Sequence, residues 1–597
     1  MAETVDELKI RIRELEKEVA QWKSKVKEVR YGLNWLDVPE AFDKKSEDKI
    51  PILEEVPEKA IDAEGPLSDN PTHVLIEGDN YHVLTCLNYT HRGKIDVIYI
   101  DPPYNTGSDG FTYKDKRFLT EFPDGQKVPK EHPLRHSYWL SFMEKRLKLA
   151  KNLLSEKGFI FISIDDNEQA NLKLLCDKVF GESNCVNQFV WKRNSSGKTE
   201  VDKFTVNTEY VLLYKKSNLC ELNDAFKPLS PNSLKLYKYN DNDGRGIYQT
   251  VSLQKPKDPG PETTYDYIDN SGKVWSCPPK GWRMIFDKIK ELENDGRLVL
   301  NGKTLREKDY WNERKNEGKR IDTLWNDLPE NTAGTGQVSE LFEDKPIFSN
   351  PKPIELIRRC LQIAKPNAVV LDFFAGSGTT LHSTIKLNRE DGFSRQCIVV
   401  QEKEPTFEIV DGKEIPKKNV KDAYAMGLKY INDITYERNR RVMCGYTNAR
   451  GDAVGGLGGH LKYYKTGFVG KHHSKTANDE DRIELSKKAG CLIALAENTL
   501  DSFTVPKSAN GFWQIYTSNV ETKKRYTCIY HNGDYERFSE FVDQIDELRK
   551  NDKKAKFAVY VFSWGSPDIF ENEFDNLKNI EIKAIPKPIL EIYKALN

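Results

Sequence analysis

The residues best suited to chemistry stand at Asp101-Pro102-Pro103-Tyr104, directly after the apolar run Ile95–Ile100. Such a run predicts a strand buried on both faces, as in parallel sheets. In doubly wound sheets ligands collect at the carboxyl ends of the strands. An amino group on an aromatic ring is a poor nucleophile, because its lone pair is delocalised into the ring. Asp101 can accept one hydrogen bond from such a group. The Pro102 carbonyl can accept the other, since two prolines hold the backbone in a stiff extended turn. Together they favour a pyramidal nitrogen aimed at an electrophile. Tyr104 offers a flat face on which an extruded base can stack. The plain alternative is an ordinary Asp-Pro turn closing a strand, and short motifs often match by accident. Asp101 needs no strong basicity for this role, because the proton can leave to solvent, so no raised pKa is expected.

A second candidate is Asp372-Phe373-Phe374-Ala375-Gly376-Ser377-Gly378-Thr379-Thr380, which also follows an apolar strand and opens a helix. Its glycines permit a tight turn and close approach of backbone to a ligand. The full GxGxxG and the GK[ST] of a phosphate loop are missing, which argues against a nucleoside triphosphate. The shape suits a ligand joining an adenosine to a charged amino-acid tail. An acidic residue beside the loop can hold an ammonium group. A simple strand-to-helix turn is the alternative.

These segments lie far apart in the chain, so a shared sheet must bring them together. Residues 74–76, 95–100, 159–164 and 206–214 read as strands, with a helix over 139–154. From 217 to about 345 the sequence becomes rich in Asn, Asp, Lys, Gly and aromatics, as if inserted into an α/β frame. The frame resumes with a helix near 353–364 and strands at 368–374 and 397–400. Beyond about 450 the pattern changes again, with a charged helix at 536–549 and a strand at 557–562, which predicts a separate C-terminal domain. At the other end, Val5, Leu8, Ile12, Leu15, Val19, Trp22, Val26 and Val29 repeat at alternating three- and four-residue spacing, the seam of a coiled coil. A helix packing on its own domain is the alternative, but a lone long helix needs a partner for that stripe. Residues 31–72, with scattered prolines and acids, read as a linker.

At 597 residues the chain is too long for one core, and roughly two to four domains are expected. A formal net charge of -1 neither supports nor excludes a nucleic-acid partner, because binding fields are local. No run of about 18 apolar residues predicts a membrane span, and the charged N-terminus has no apolar signal core. Ten cysteines without a CxxC pair argue against a zinc site or a disulfide frame and fit the cytoplasm. No metal site is expected.

The order of the motifs, with the proline segment first, the glycine turn later and an irregular region between, resembles the β-class S-adenosylmethionine-dependent DNA amino-methyltransferases. The segments DPPYNTGSDGFTYKD, YWLSFMEKRL, GFIFISIDDNE, TEYVLLYKK, PKGWRM and SNPKPIELIRR are similar to the modification (Mod) subunits of type III restriction–modification systems and their stand-alone relatives. That resemblance covers most of the chain. It implies a Rossmann-like doubly wound α/β sheet with circularly permuted motif order and an inserted target-recognition region, to which the residue patterns add an N-terminal coiled-coil helix and a small α+β C-terminal domain. The corresponding plan is a heptad helix at 1–30, a linker at 31–72, the catalytic half at 73–216, target recognition at 217–345, the cofactor half at 346–450 and the C-terminal domain at 451–597.

By the same resemblance, the activity is methyl transfer from S-adenosylmethionine to the N6 amino group of a flipped-out adenine in double-stranded DNA. The DPPY form is typical of the adenine-N6 enzymes. Cytosine N4, and a non-catalytic DNA-recognition subunit that keeps the fold, stay open. Asp101, Pro102, Pro103 and Tyr104 would be the catalytic set. Asp372, Phe373, Ala375, Gly376, Ser377 and Gly378 would line the methionine side of the cofactor, with Lys352 and Pro353 near its carboxylate. Asp79 would approach its adenine, with a helix N-cap as the plainer role. Where many relatives place an acid for the ribose, Gln401 stands here, followed by Glu402; a glutamine can still hydrogen-bond a hydroxyl.

For DNA contacts, Arg306, Lys308, Arg314, Lys315, Lys319 and Arg320 cluster with Tyr310 and Trp311. They can offset phosphate charge. Glu307, Asp309, Glu313 and Glu317 among them equally suit a solvated charged helix. Phe111, Tyr113, His136, Tyr138 and Trp139 are candidates for the flipped base or for the core. The resemblance further implies a homodimer and a separate restriction (helicase–nuclease) subunit, with the N-terminal heptads and the C-terminal domain as contact regions.

Overall fold

Residues 50–55 and 459–469, more than 400 positions apart in the chain, pair at one edge of an eleven-stranded sheet. The computed structural model describes residues 33, 35–38, 49–107, 115–122, 125–196, 204–223, 226–227, 234–255, 260–300, 302–314, 319–518, 524–564, 570–574 and 579–596. The heptad repeat at 1–30 lies outside them. The chain divides into two units, one of residues 1–223 with 323–597 and one of residues 224–322.

The large sheet belongs to the first unit. Its strands are β1 (Ile50–Glu55), β2 (Ile61–Ala63), β3 (His73–Glu77), β4 (Ile95–Ile100), β5 (Leu154–Ile164), β6 (Cys185–Lys192), β7 (Thr208–Lys215), β8 (Leu324–Trp325), β9 (Val369–Asp372), β10 (Gln396–Gln401) and β11 (Gly459–Val469). Across the sheet they run β1–β11–β3–β10–β9–β4–β5–β7–β6–β8, with β2 also on β11. From β11 to β5 all neighbours are parallel, and β7 runs antiparallel between β5 and β6. Every residue of β4 is buried, which is why the run is almost wholly apolar.

Helices α1 (Asn80–Thr90), α2 (Ser137–Leu153), α3 (Gln169–Phe180), α4 (Asn331–Leu341), α5 (Ile354–Gln362), α6 (Thr379–Asp391) and α7 (Ile431–Cys444) join these strands. Two crossovers decide where a ligand can sit. From β4 the chain passes through α2 to β5 on one side. From β9 it passes through α6 to β10 on the other. Strands β9 and β4 are neighbours, with Val370 opposite Val97 and Leu371 opposite Ile98. Connections that leave adjacent strands in opposite directions open a crevice above their carboxyl ends.

Two boundaries differ from the sequence reading. Residues 31–72 are not simply a linker, since β1 and β2 extend the large sheet through β11. The region beyond 450 is not a separate domain either. It supplies β11, and helix α8 (Lys587–Leu596) buries Ile589, Leu590 and Tyr593 in the same core as Val83 and Leu87 of α1. A smaller five-stranded sheet, Asp501–Phe503 through Ile580–Ile585, does carry its own cluster around Trp513, Cys528 and Phe541. The break in local pattern is real, but pairing between remote strands leaves no mark on local spacing.

The second unit is likewise narrower than the 217–345 region, because β8 and α4 belong to the first. It holds a three-stranded antiparallel sheet of Tyr248–Ser252, Arg306–Tyr310 and Leu298–Val299. Its core contains Leu253, Tyr267, Trp275, Trp282 and Ile289.

The Tyr593 hydroxyl donates to the Pro51 carbonyl at 3.2 Å. Tyr593→Ala is therefore expected to destabilise the sheet that carries the site, by about 3–5 kcal/mol. Calorimetry should show the main unfolding transition itself moving down. A shift confined to a separate minor transition would mean that the C-terminal helix is no part of the main core.

Candidate functional site

Above β9 and β4 lies a cleft of about 870 Å³, counting its solvent-open part. Asp101 and Pro103 of the first motif line it, together with Asp372, Phe373, Ala375, Gly376 and Ser377 of the second. The two remote segments thus face one cavity.

The loop after β4 is held from several sides. Asp115 accepts backbone N–H bonds from Tyr104 at 3.0 Å and Asn105 at 3.1 Å, and the Thr106 hydroxyl donates to its other oxygen at 2.8 Å. Asn105 adopts a left-handed φ of 58° and donates its side-chain amide to Glu168 at 2.6 Å. The Trp139 indole donates to the Pro103 carbonyl at 2.7 Å. No donor among the described residues reaches the Pro102 carbonyl, the acceptor that the chemistry requires.

Charge is concentrated around Asp101. Lys352 Nζ lies 2.9 Å from Asp101 Oδ2 and 3.3 Å from Glu209 Oε2. Arg193 meets the other Glu209 oxygen at 3.1 Å. The Tyr104 hydroxyl donates to Asp101 Oδ1 at 2.7 Å and also reaches Glu209 at 3.2 Å. Burial raises the Asp101 carboxyl above its ordinary range; Lys352 opposes that and Glu209 reinforces it. This corrects the expectation of an unraised pKa, and the causes are desolvation of the carboxyl and the nearby Glu209. Burial works against the Lys352 ammonium, but Asp101 and Glu209 outweigh it and hold its pKa above the usual value. Lys352 reaches this place because α4 presents Gly334 to the backbone of Pro351 and Lys352; a Cβ there would collide with the Pro351 carbonyl oxygen.

The second motif forms a strand-to-helix turn. Gly376 and Gly378 take left-handed φ values of 53° and 80°. A Cβ at Gly378 would collide with the Asn439 amide of α7, so this glycine also allows helix packing. Asp372 accepts the Phe374 N–H at 2.9 Å and the Thr380 hydroxyl at 2.5 Å. Burial, opposed by these bonds, pushes its carboxyl up to about 7. Gln401 accepts the Gly376 N–H at 2.7 Å, so its side chain braces the turn.

Residues 95–423 match the N6/N4 methylase family model, described as DNA methylase. This chain belongs to that family. It is 33% identical over 469 residues to the StyLTI Mod subunit, of a type III restriction-modification enzyme of Salmonella typhimurium, covering 74% of this chain and 68% of that protein. The EcoP15I Mod subunit of Escherichia coli is 31% identical over 470 residues, 68% of each chain. The type II methyltransferase M.KpnI of Klebsiella pneumoniae is 33% identical over 394 residues, 62% of this chain and 88% of that one. The methylase uses S-adenosylmethionine.

The cleft fits that cofactor. Phe348, Phe373, Val400 and Ile431 give it apolar walls, while Ser377, Thr379 and the Asp372 carboxyl give it a polar end. Lys352, expected near the cofactor carboxylate, lines the cleft but puts its charge on Asp101 and Glu209. Glu402 lines the cleft beside Gln401. Pro353 is the N-cap of α5 and Gly378 that of α6, and neither is among the lining residues. Asp79 caps α1 through a 2.8 Å bond from Tyr81 N–H and sits 3.4 Å from Arg146. Its neighbour Asn80 lines the cleft instead and donates to the Phe373 carbonyl at 3.0 Å.

Of the DNA candidates, Arg306 spends its guanidinium on the Thr250 hydroxyl and carbonyl, at 2.9 and 2.7 Å. It stands on a strand, followed by the short helix Trp311–Arg314, so the alternative of one solvated charged helix does not hold for Arg306–Tyr310. Lys315 and the side chains of Arg314 and Arg320 lie outside the described residues, as do Phe111 and Tyr113. Trp139 is fully buried and His136 pairs with Glu168 at 2.6 Å, a bond that raises the His136 pKa. Sequence reasoning missed Asp115, Glu209 and Asn80. Glu209 carried a signal, as an acid within a strand otherwise rich in aromatic and branched residues.

The raised Asp372 pKa has a consequence for stability. The folded state binds a proton that the unfolded chain releases near pH 4, so stability falls as pH rises from about 4 to about 7 and is level above. The conversion of about 1.4 kcal/mol per unit makes this up to roughly 4 kcal/mol. Urea melts of wild type and Asp372→Asn at pH 5 and pH 8 should differ by this dependence. An identical pH profile in the variant would show that Asp372 titrates normally.

Proposed function

We propose that this methylase modifies the N6 amino group of adenine in double-stranded DNA, as the modification component of a type III-like restriction–modification system. The observation that carries the reading is the meeting of Asp101 and Pro103 with the glycine turn in one cleft, next to a Pro102 carbonyl that no donor among the described residues reaches. The adenine choice rests on the DPPY form, and the system on the similarity to Mod subunits over about two thirds of those proteins.

Asp101 and Pro102 accept the two amino hydrogens and turn the nitrogen lone pair toward the donor. S-adenosylmethionine supplies a methyl group on a sulfonium, which an amine takes by in-line displacement. To reach Asp101, the amino group replaces the Tyr104 hydroxyl on Oδ1. Tyr104 is then released to stack on the flipped base. Lys352 stays on Oδ2 and keeps the carboxylate charge balanced. The methylated nitrogen must lose a proton, and a carboxyl raised by burial can take it before solvent does.

The permuted order of the motifs follows from this reading, since β4 and its acid precede β9 and its turn in the chain yet lie beside it. Residues 224–322 are the candidate target-recognition unit. Dimerisation through the 1–30 heptads, contact with a restriction subunit through the C-terminal region and a cytoplasmic location complete the proposal. Among the described residues no helix is long and apolar enough to cross a membrane.

Asp101→Ala is expected to lower methyl transfer by roughly 10²–10⁴-fold while S-adenosylmethionine still binds. Labelled cofactor with mixed DNA, followed by nucleoside analysis, measures both rate and base. Transfer at the wild-type rate would remove Asp101 from the reaction. N4-methylcytosine as the product would replace adenine as the target, and no transfer by the wild type to any DNA would favour a pure recognition subunit.

A further inference from the structure

Arg438 of α7 has no accessible surface, and among the described residues no carboxylate pairs with it. Its guanidinium donates to the Ser377 hydroxyl at 2.8 Å, the Thr379 hydroxyl at 2.7 Å and, more weakly, the Ser377 carbonyl at 3.4 Å. On the other side it meets His382 Nδ1 at 3.3 Å. Burial and this arginine hold His382 well below its ordinary pKa, so the ring stays neutral. Burial lowers Arg438 itself to about 9, which leaves it cationic at neutral pH.

A buried cation without a counter-ion is costly, and such groups are found paired or completed by a ligand. The ligand side is visible here. Ser377 and Thr379 both line the cleft. Arg438 donates into their oxygens, so each hydroxyl hydrogen must point elsewhere. The two oxygens are 3.2 Å apart, and at most one hydrogen is spent between them. At least one hydroxyl hydrogen is thereby left without an acceptor among the described residues, on a group that lines the cleft and contacts the guanidinium. Meanwhile Lys352 is engaged by Asp101 and Glu209.

We propose that Arg438 is the buried countercharge for the carboxylate of the cofactor's methionine tail, acting through the hydroxyl groups of Ser377 and Thr379. It is a positioning residue, and the proposal rests on S-adenosylmethionine as the methyl donor. Arg438 selects for a ligand that carries an amino-acid carboxylate beside its sulfonium and discriminates against one that lacks it.

Decarboxylated S-adenosylmethionine, which keeps the ammonium and loses only the carboxylate, separates this role from a structural one. In calorimetric titrations of the full chain, Arg438→Gln should weaken S-adenosylmethionine binding by on the order of tenfold to a hundredfold, the worth of a charge-assisted bond. It should leave the decarboxylated compound unchanged, and Arg438→Lys should restore part of the difference. Thr379→Val keeps the buried cation in place and should show a smaller loss of the same selective kind, which tests the proposal even if Arg438→Gln fails to fold. Equal loss of both compounds, or no loss of either, would overturn it. So would a selective loss in Arg117→Met alone, since that guanidinium also lines the cleft, stacked 3.8 Å above Phe142. A wild-type chain that binds neither compound would end the cofactor reading itself, which separates the two failures.

Discussion

Val370 beside Val97 and Leu371 beside Ile98 set the register between β9 and β4, and the placement of both motifs follows from it. A slip of one residue would turn each strand's side chains to the opposite face of the sheet. Asp372 closes β9, and Asp101 follows the last residue of β4, so the parallel register leaves both acids at one end. The opposite directions of the α2 and α6 crossovers keep that end uncovered. Helices that left both strands in the same direction would have closed it.

Two acids at the same end meet different fates. Asp101 lies among Lys352, Glu209, Arg193 and the Tyr104 hydroxyl, a cluster with two formal charges of each sign. Removing charges from water is expensive, and it is offset only when partners are close and hydrogen bonds complete them. Among the described residues Asp372 has only a backbone N–H and a threonine hydroxyl as partners, and its carboxyl rises to about 7. A cationic ligand tail in the cleft would favour its ionised form, as Lys352 already does for Asp101. The sheet thus carries one acid compensated by charged side chains and one held by neutral donors alone.

Much of this was legible in the sequence because the relevant signals are local. The apolar run at 95–100 reads as a buried strand and is one. The glycines at 376 and 378 announce a turn, and the turn takes left-handed angles at both. Non-local events were not legible. Asp115 stands eleven residues beyond Tyr104, yet its meaning depends on a contact in which two N–H groups meet one carboxylate. Lys352 belongs to a recognisable segment, but its contact with Asp101 depends on Gly334 of another helix. The edge pairing of β1 and β2 with β11 joins opposite ends of the chain, which is why 31–72 looked like a linker and the region after 450 like a separate domain.

The loop after β4 is fixed where it carries backbone and adjustable where it carries chemistry. Asp115, the Trp139 indole and the Asn105–Glu168 bond all act on the main chain or anchor it, and each is buried. The Asp101 oxygens are instead held by the ends of two side chains, the Tyr104 phenol and the Lys352 ammonium. A phenol can leave by rotation about its side-chain bonds without moving the backbone. The arrangement therefore satisfies the carboxylate with protein donors, one of which can be exchanged without moving the backbone. In the proposed reaction the phenol that leaves is also the ring that would stack on the base, so freeing the acceptor and receiving the substrate would be one motion. A carboxylate held only by backbone N–H groups, as Asp115 is, could not be exchanged in this way.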